Sequence, residues 1–279
     1  MIAYLDTCTI LNLIQINYND EYIKHLKRLF VEIKLTPKVF EELERNKYDN
    51  VIDDSQKMIL NGIIYNNLKN YIDFEDFKKE LEFTKKHNPG IFKENGESYS
   101  ISQSIMNSRY GKEDFGEHLL KTYFISDDAP AKEEFGYFYQ INVVGQMINT
   151  IDLMTVFWLK QYITKNELIR YCNSLKQLYN KDLNILSIKI KEYKSSFDKE
   201  ITPKQHIIIT KLISMLSDIT EEFKNDFYEI CNTPEFRVIL KKNNDWNALI
   251  NRIKESQFRE KIPYIIKRIK DFKKVYSID

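Results

Sequence analysis

Four short runs of strand-forming residues, separated by stretches of helical periodicity, constrain the fold of this 279-residue chain more than any other feature. They are IAYL (2–5), VEIKL (31–35), TYFIS (122–126) and INVVG (141–145). Strands that alternate with helices predict an α/β fold, a doubly wound parallel sheet of four to five strands with helices on both faces. Between the second and third runs lies a helical insertion, about residues 51–95, whose FEDFKKELEFTKK is amphipathic and which HNPG and KENG interrupt. After Gly145 the strand signals stop and the pattern is helical to the end, with ITPKQ at 201–205 marking a break and a fresh helix start. At roughly 150 residues per domain, this length predicts one domain plus a sizeable appendage, or two domains. We expect an α/β domain over 1–180, holding the insertion, and a helical C-terminal extension over 181–279.

Composition removes several function classes. Lys and Arg number 42 against 41 Asp and Glu, so any nucleic-acid surface must be local. Cys8, Cys172 and Cys231 show no CxxC spacing, which argues against a disulfide framework or a zinc site and fits a reducing cytoplasm. The N-terminus has no basic region before its apolar run and carries Asp6 inside it, unlike a signal peptide. The longest uncharged run, 135–151, contains Gln140, Asn142, Gln146 and Asn149, so no membrane span is expected. His25, His87, His118 and His206 are isolated, and neither a GxSxG elbow nor a GxxxxGK loop occurs.

What remains is a set of acids at element ends. In an open parallel sheet, residues just past the carboxyl ends of the strands share one crevice. Asp6 stands at such an end, and so do Asp127 and Asp128 in ISDDAPAKEEF. In LTPKVFEEL, Thr36 reads as an N-cap and Pro37 as the first helical residue, which sets the helix phase. At 100° per residue Val39, Glu42 and Leu43 then share the inward face while Glu41 points away. In NGESYSISQSI, Gly96 opens a helix and Glu97 aligns with Ile101 and Ile105 on its buried side. Any one of these acids could merely cap a helix or complement its dipole. Together they converge, and carboxylates packed so closely repel one another unless a cation neutralises them. Oxygen-only donors select a hard cation, Mg²⁺ or Mn²⁺.

The stretches YLDTCTILNLI, LTPKVFEEL, GESYSISQSI and FISDDAPAKEEF, the last continuing through INVVGQMINTIDLMTVFWLKQYITKNEL, resemble the successive motifs of PIN-domain nucleases, close to the bacterial group that includes VapC-like toxins. The resemblance covers about residues 1–178, with gaps. It implies a PIN-like sheet and a divalent-metal-dependent endoribonuclease, a toxin or anti-phage effector. The metal ligands it implies are Asp6, Glu42, Glu97 and either Asp127 or Asp128, with Thr7 as a supporting hydroxyl. In a two-metal version, ions ~3.5–4 Å apart would activate water and stabilise the leaving oxygen, with Asp6 bridging. Lys132, in the turn after the Asp pair, could reach a phosphate. The implied partners are RNA or another single-stranded nucleic acid, an antitoxin or regulatory protein, and a second copy of the chain. Two alternatives stay open: a non-catalytic PIN-like scaffold that binds RNA or protein, and a DNA-directed nuclease. The chain departs from the family in its long 52–95 stretch, in RYGKEDFGEHLLKT before the third strand, and in a last hundred residues without counterpart.

That last region carries its own signal. Over residues 252–274, nine Lys and Arg face three acids, and apolar residues interleave at helical spacing. Lys267, Arg268, Lys270 and Lys273 are therefore expected on a charged face that tracks a phosphate backbone.

Overall fold

The structure is a computed structural model that describes residues 1–16, 21–48, 52–67, 74–87, 89–90, 92–110, 122–141, 143–197, 200–217, 223–255 and 258–275. Four strands, β1 (Ile2–Leu5), β2 (Glu32–Lys34), β3 (Thr122–Ile125) and β4 (Gly145–Ile148), form an all-parallel sheet in the order β2-β1-β3-β4. Ile2 lies opposite both Glu32 and Thr122, and Thr122 opposite Gly145. Helices α1 (Thr7–Ile16) and α2 (Glu21–Leu29) carry the chain from β1 out to β2. Four more, α3 (Pro37–Tyr48), α4 (Asp54–Asn67), α5 (Phe74–His87) and α6 (Gly96–Tyr110), return it across the sheet to β3, and α7 (Ala129–Ile141) leads on to β4. The winding direction thus reverses between β1 and β3, the switch point beyond whose carboxyl ends open parallel sheets place their ligand crevices.

Strand alternation explains the continuous apolar run in β1. Ile2, Tyr4 and Phe124 face Ile101 and Ile105 of α6 and Phe135 and Tyr139 of α7. Leu5 and Ile33 face Ile10 and Leu13 of α1 and Ile23 and Leu26 of α2. Both faces are covered, so every strand position can be apolar. Each fully buried side chain of this size contributes about 1.5–3 kcal/mol.

The fourth strand differs from expectation. INVVG does not form it; the strand begins at Gly145, which had read as its end. Val143 adopts φ 54°, a costly conformation for a β-branched residue, and the Val144 amide donates to the Tyr139 carbonyl at 3.1 Å, closing the end of α7. A Cβ on Gly145 would sit 1.7 Å from the Thr122 carbonyl oxygen, so only glycine lets β4 approach β3 here. Strand-forming valines therefore make the turn, and GQMI makes the strand.

Elsewhere local chemistry explains the helix starts. The Val39 amide donates to Thr36 Oγ1 at 3.4 Å ahead of Pro37. Thr202 and Gln205 cap α11 (Pro203–Ser217) reciprocally, at 3.3 and 3.0 Å. Helices α4 and α5 lie within the expected insertion. The long loop before β3 falls largely at 111–121, outside the described residues, as does His118.

The chain divides into two compact units, Met1–Leu168 and Ile169–Asp279. The first ends with α8 (Thr150–Leu159) and the start of α9 (Lys165–Tyr179), so the division falls inside α9 rather than after it. The second is helical: the remainder of α9, α10 (Lys181–Ser196), α11, α12 (Phe223–Asn232), α13 (Pro234–Lys242), α14 (Asn244–Glu255) and α15 (Phe258–Lys274). Its core gathers Leu186, Ile190, Ile209, Leu212, Phe227, Phe236 and Trp246. No disulfide forms, and among the described residues no helix is long and apolar enough to cross a membrane.

Candidate functional site

The ladders of the sheet continue one residue past the strands and fix the acids that follow. The Asp6 amide donates to the Ile125 carbonyl at 3.1 Å, and the Ser126 amide to the Ile148 carbonyl at 2.9 Å. Asp6 and Ser126 are therefore neighbours at the carboxyl ends of β1 and β3. Ser126 Oγ donates to Asp6 Oδ2 at 2.8 Å and accepts from the Asp128 amide at 3.1 Å, which ties the two acidic segments together. The Thr7 amide reaches Asp6 Oδ1 at 2.7 Å, and the Cys8 thiol reaches Oδ2 at 2.8 Å. Asp6 is only 4% exposed. Its burial raises the carboxyl from 3.8 to about 6, aided by the Glu42 charge and against the pull of its three donors.

Glu42 enters from α3. Val39 and Leu43 are fully buried on the same face, whereas Glu41 is exposed and pairs with Lys38 at 2.9 Å. The Glu42 carboxylate accepts from Thr7 Oγ1 and, at 2.9 Å, from the Gly96 amide at the start of α6. Gly96 is needed for this approach, since a Cβ there would lie 2.7 Å from Val39 Cγ2 and 3.0 Å from Glu42 Oε2.

Glu97 follows directly. Asn95 caps α6 by accepting from the Ser98 amide and donates its own Nδ2 to Glu97 Oε2, both at 3.1 Å. Burial raises the Glu97 carboxyl to about 9, and the Asp6 charge and a hydrogen bond shared with Asp128 add to that shift. Glu97 and Asp128 are therefore joined by a hydrogen bond. Burial and each other's charge thus disfavour the ionised forms of Asp6 and Glu97, beside Asp128.

Asp127 is directed elsewhere. Its carboxylate accepts from Asn12 Nδ2 at 2.6 Å, from the Thr150 amide at 2.9 Å and from Thr150 Oγ1 at 2.9 and 2.8 Å. These bonds tie the end of β3 to α1 and to the first turn of α8. Adjacent aspartates in one turn therefore have different surroundings: Asp128 faces Glu97, and Asp127 holds three elements together. Lys132, 47% exposed at its side chain, pairs with Asp152 at 3.6 Å.

The supporting residues were not singled out in the sequence. Asn12 interrupts the apolar run TILNLI, and a buried amide among aliphatic residues is a signal that it serves another polar group. Ser126, Cys8, Asn95 and Thr150 carried no signal beyond their adjacency to acids or helix starts. Of the histidines, His25 stacks on Tyr162 at 5.4 Å and His87 packs against Phe83 at 3.9 Å.

Among the described residues, no three His, Cys, Asp or Glu side chains converge tightly enough to cage a metal ion by themselves. Mg²⁺ does not require such a cage, because it keeps several waters and takes one or two carboxylates together with substrate phosphates. The oxygen donors of Asp6 and Glu97, whose charges interact, could serve as such carboxylates. Compared with family models, with curated proteins and with solved structures, the chain matches none.

Proposed function

We propose that this chain is a PIN-like, metal-dependent endoribonuclease. The observation that carries the reading is the group formed by Asp6, Glu97 and Asp128, flanked by Glu42, at the point where the winding of the sheet reverses. For Asp6 and Glu97, burial and neighbouring carboxyl charges outweigh the hydrogen bonds that favour the ionised form. The surplus charge suits a site that gains a divalent cation.

In this reading Mg²⁺ or Mn²⁺ would be held by one or two carboxylates from among Asp6, Asp128 and Glu97 together with water and the substrate phosphate, and would supply the Lewis acidity that phosphodiester hydrolysis needs. Ser126 and Thr7 keep Asp6 oriented, and Asn95 orients Glu97. Glu42 joins α3 to α6 and sets the distance between Asp6 and Glu97. Where Glu97 does not bind the ion directly, it would orient the attacking water through a hydrogen bond. Asp127 acts through position only, by keeping Asp128 in the crevice.

The test is incubation of the purified chain with labelled RNA and labelled DNA, with Mn²⁺, with Mg²⁺ and with a chelator. Metal-dependent RNA cleavage that Asp6→Asn abolishes is the expected result. Cleavage confined to DNA would change the substrate, and no cleavage of either polymer would remove the enzyme reading in favour of a binding scaffold.

A further inference from the structure

The two units carry opposite charge. Residues 1–168 contain 20 Lys and Arg against 26 Asp and Glu, and residues 169–279 contain 22 against 15. A chain that is nearly neutral as a whole therefore consists of an acidic unit with net charge −6 and a basic helical unit with net charge +7. The acidic unit holds the crevice described above, and by itself it repels any polyanion.

Helix α15 shows how part of the positive charge is displayed. Ile262, Ile265, Ile269 and Phe272 are buried, at 9% exposure or less. Lys267, Lys270, Lys273 and Lys274 are exposed on the rest of the helix. Lys267, Lys270 and Lys274 follow i, i+3, i+7 spacing, so they share one side and span about 10 Å at 1.5 Å per residue. Asp271, half-buried, is the one acid between residues 261 and 274. Arg268 does not belong to this row: it is half-buried with its guanidinium 4.7 Å from the Phe272 ring. The expected phosphate-tracking set thus loses Arg268 and gains Lys274. The side chains at 252 and 254–260 lie outside the described residues.

A helix dipole accounts for cations in the last turn, which covers Lys273 and Lys274. It accounts neither for Lys267 and Lys270, a turn or more earlier, nor for the charge of the whole unit. Like charges gathered on one helix repel each other and destabilise the compact unit. A polymer with a negative charge every few ångström relieves that repulsion and releases its own counterions on binding.

We infer that the helical unit is the RNA-holding part of this protein, with Lys267, Lys270, Lys273 and Lys274 of α15 contacting the phosphate backbone without regard to sequence. The inference deepens the nuclease reading and rests on it for the identity of the polymer. It supplies the attraction that the acidic unit lacks.

The test uses the full chain with Asp6→Asn, so that RNA survives, and a fluorescein-labelled single-stranded 30-nucleotide RNA of mixed sequence. Affinity is read by anisotropy over a salt series. Replacing the four α15 lysines with glutamine should flatten the slope of log affinity against log salt by about 2 to 3, at ~0.7 per lost contact. Replacing the exposed Lys78, Lys79, Lys85 and Lys86 of α5 removes the same charge from the other unit and should leave the slope unchanged. Circular dichroism confirms that both variants are folded. An unchanged slope in the α15 variant overturns the inference and leaves that face to an acidic protein partner. Equal flattening in both variants also overturns it, because bulk charge then explains binding. The slope difference without any RNA cleavage by wild type would uphold the inference as a binding property while removing the nuclease reading. Cleavage without the slope difference would do the reverse.

Discussion

The amide of Gly96 donates to Glu42 Oε1 at 2.9 Å, and this bond joins the two helices that carry acids to the crevice. The contact is close because residue 96 has no side chain. Gly96→Ala would press a methyl against Val39 and Glu42, and overpacking of this kind costs about 1–3 kcal/mol. The larger consequence is for geometry, since Glu42 must move and release Thr7 as it does so. We expect a modest drop in melting temperature with loss of most nuclease activity; a variant that keeps wild-type turnover would show that this joint does not set the site.

Asp127 and Asp128 should separate cleanly. Asp127→Asn leaves Asn12 Nδ2 facing another amide and weakens bonds to Thr150, where charged hydrogen bonds contribute about 1.5–3 kcal/mol each. Asp128→Asn removes a charge from a crowded group and keeps an amide oxygen that can still accept a hydrogen bond from Glu97. The expected outcome is lower stability for Asp127→Asn, and near-normal stability with no cleavage for Asp128→Asn. Thermal melting and RNA cleavage, measured on both proteins, decide between the two roles, and reversed results would exchange them.

The neighbouring pair on α3 offers an internal control. Glu41 is exposed and bonded only to Lys38 among the contacts seen, whereas Glu42 meets Thr7 and Gly96. Glu42→Gln should reduce kcat at least tenfold, and Glu41→Gln should change it less than twofold. Similar losses from both substitutions would contradict the role given to Glu42.

These contrasts show why some of the site was legible before the fold was known. Thr36 and Pro37 set the phase of α3 from local chemistry alone, so the inward direction of Glu42 could be read from four residues. Asp6 and Glu97 were visible because each interrupts or heads an apolar pattern. The difference between Asp127 and Asp128 was not local: it depends on Asn12, 115 positions away, and on Thr150 at the next helix start. The start of β4 was hidden for a similar reason, because Gly145 is required by the Thr122 carbonyl of another strand. Arg268 reads as part of a basic run until Phe272, one turn on, is seen to take its guanidinium.

Acid crowding also sets a pH dependence. Asp6 rises from 3.8 to about 6 and Glu97 from 4.5 to about 9 in the folded chain, in both cases first because of burial. The folded state therefore holds protons that the unfolded state has released. Stability contributed by these groups is fully present below pH ~4 and is lost as pH rises toward 9. For Asp6 alone the shift corresponds to about 3 kcal/mol. In EDTA the melting temperature of the sheet unit should fall from pH 5 to pH 9, and Asp6→Asn should flatten the acidic half of that fall. A melting temperature that rises steadily over this range would show that the carboxyls are not crowded in solution.

Divalent cations should reverse the same loss, and the reversal identifies the binding residues without reference to catalysis. A ligand that binds only the folded state adds about 2.7 kcal/mol at 100 times its dissociation constant. Because a proton on Glu97 competes with the ion, the gain should be larger at pH 8.5 than at pH 6. Asp6→Asn starts from a metal-free protein at least as stable as wild type at pH 8, since one repelling charge is gone, and then gains little from Mg²⁺. Melting curves of both proteins, with EDTA and with Mg²⁺ at each pH, measure all of these terms together. Equal Mg²⁺ shifts in wild type and Asp6→Asn would place the cation elsewhere on the chain and remove Asp6 from the site.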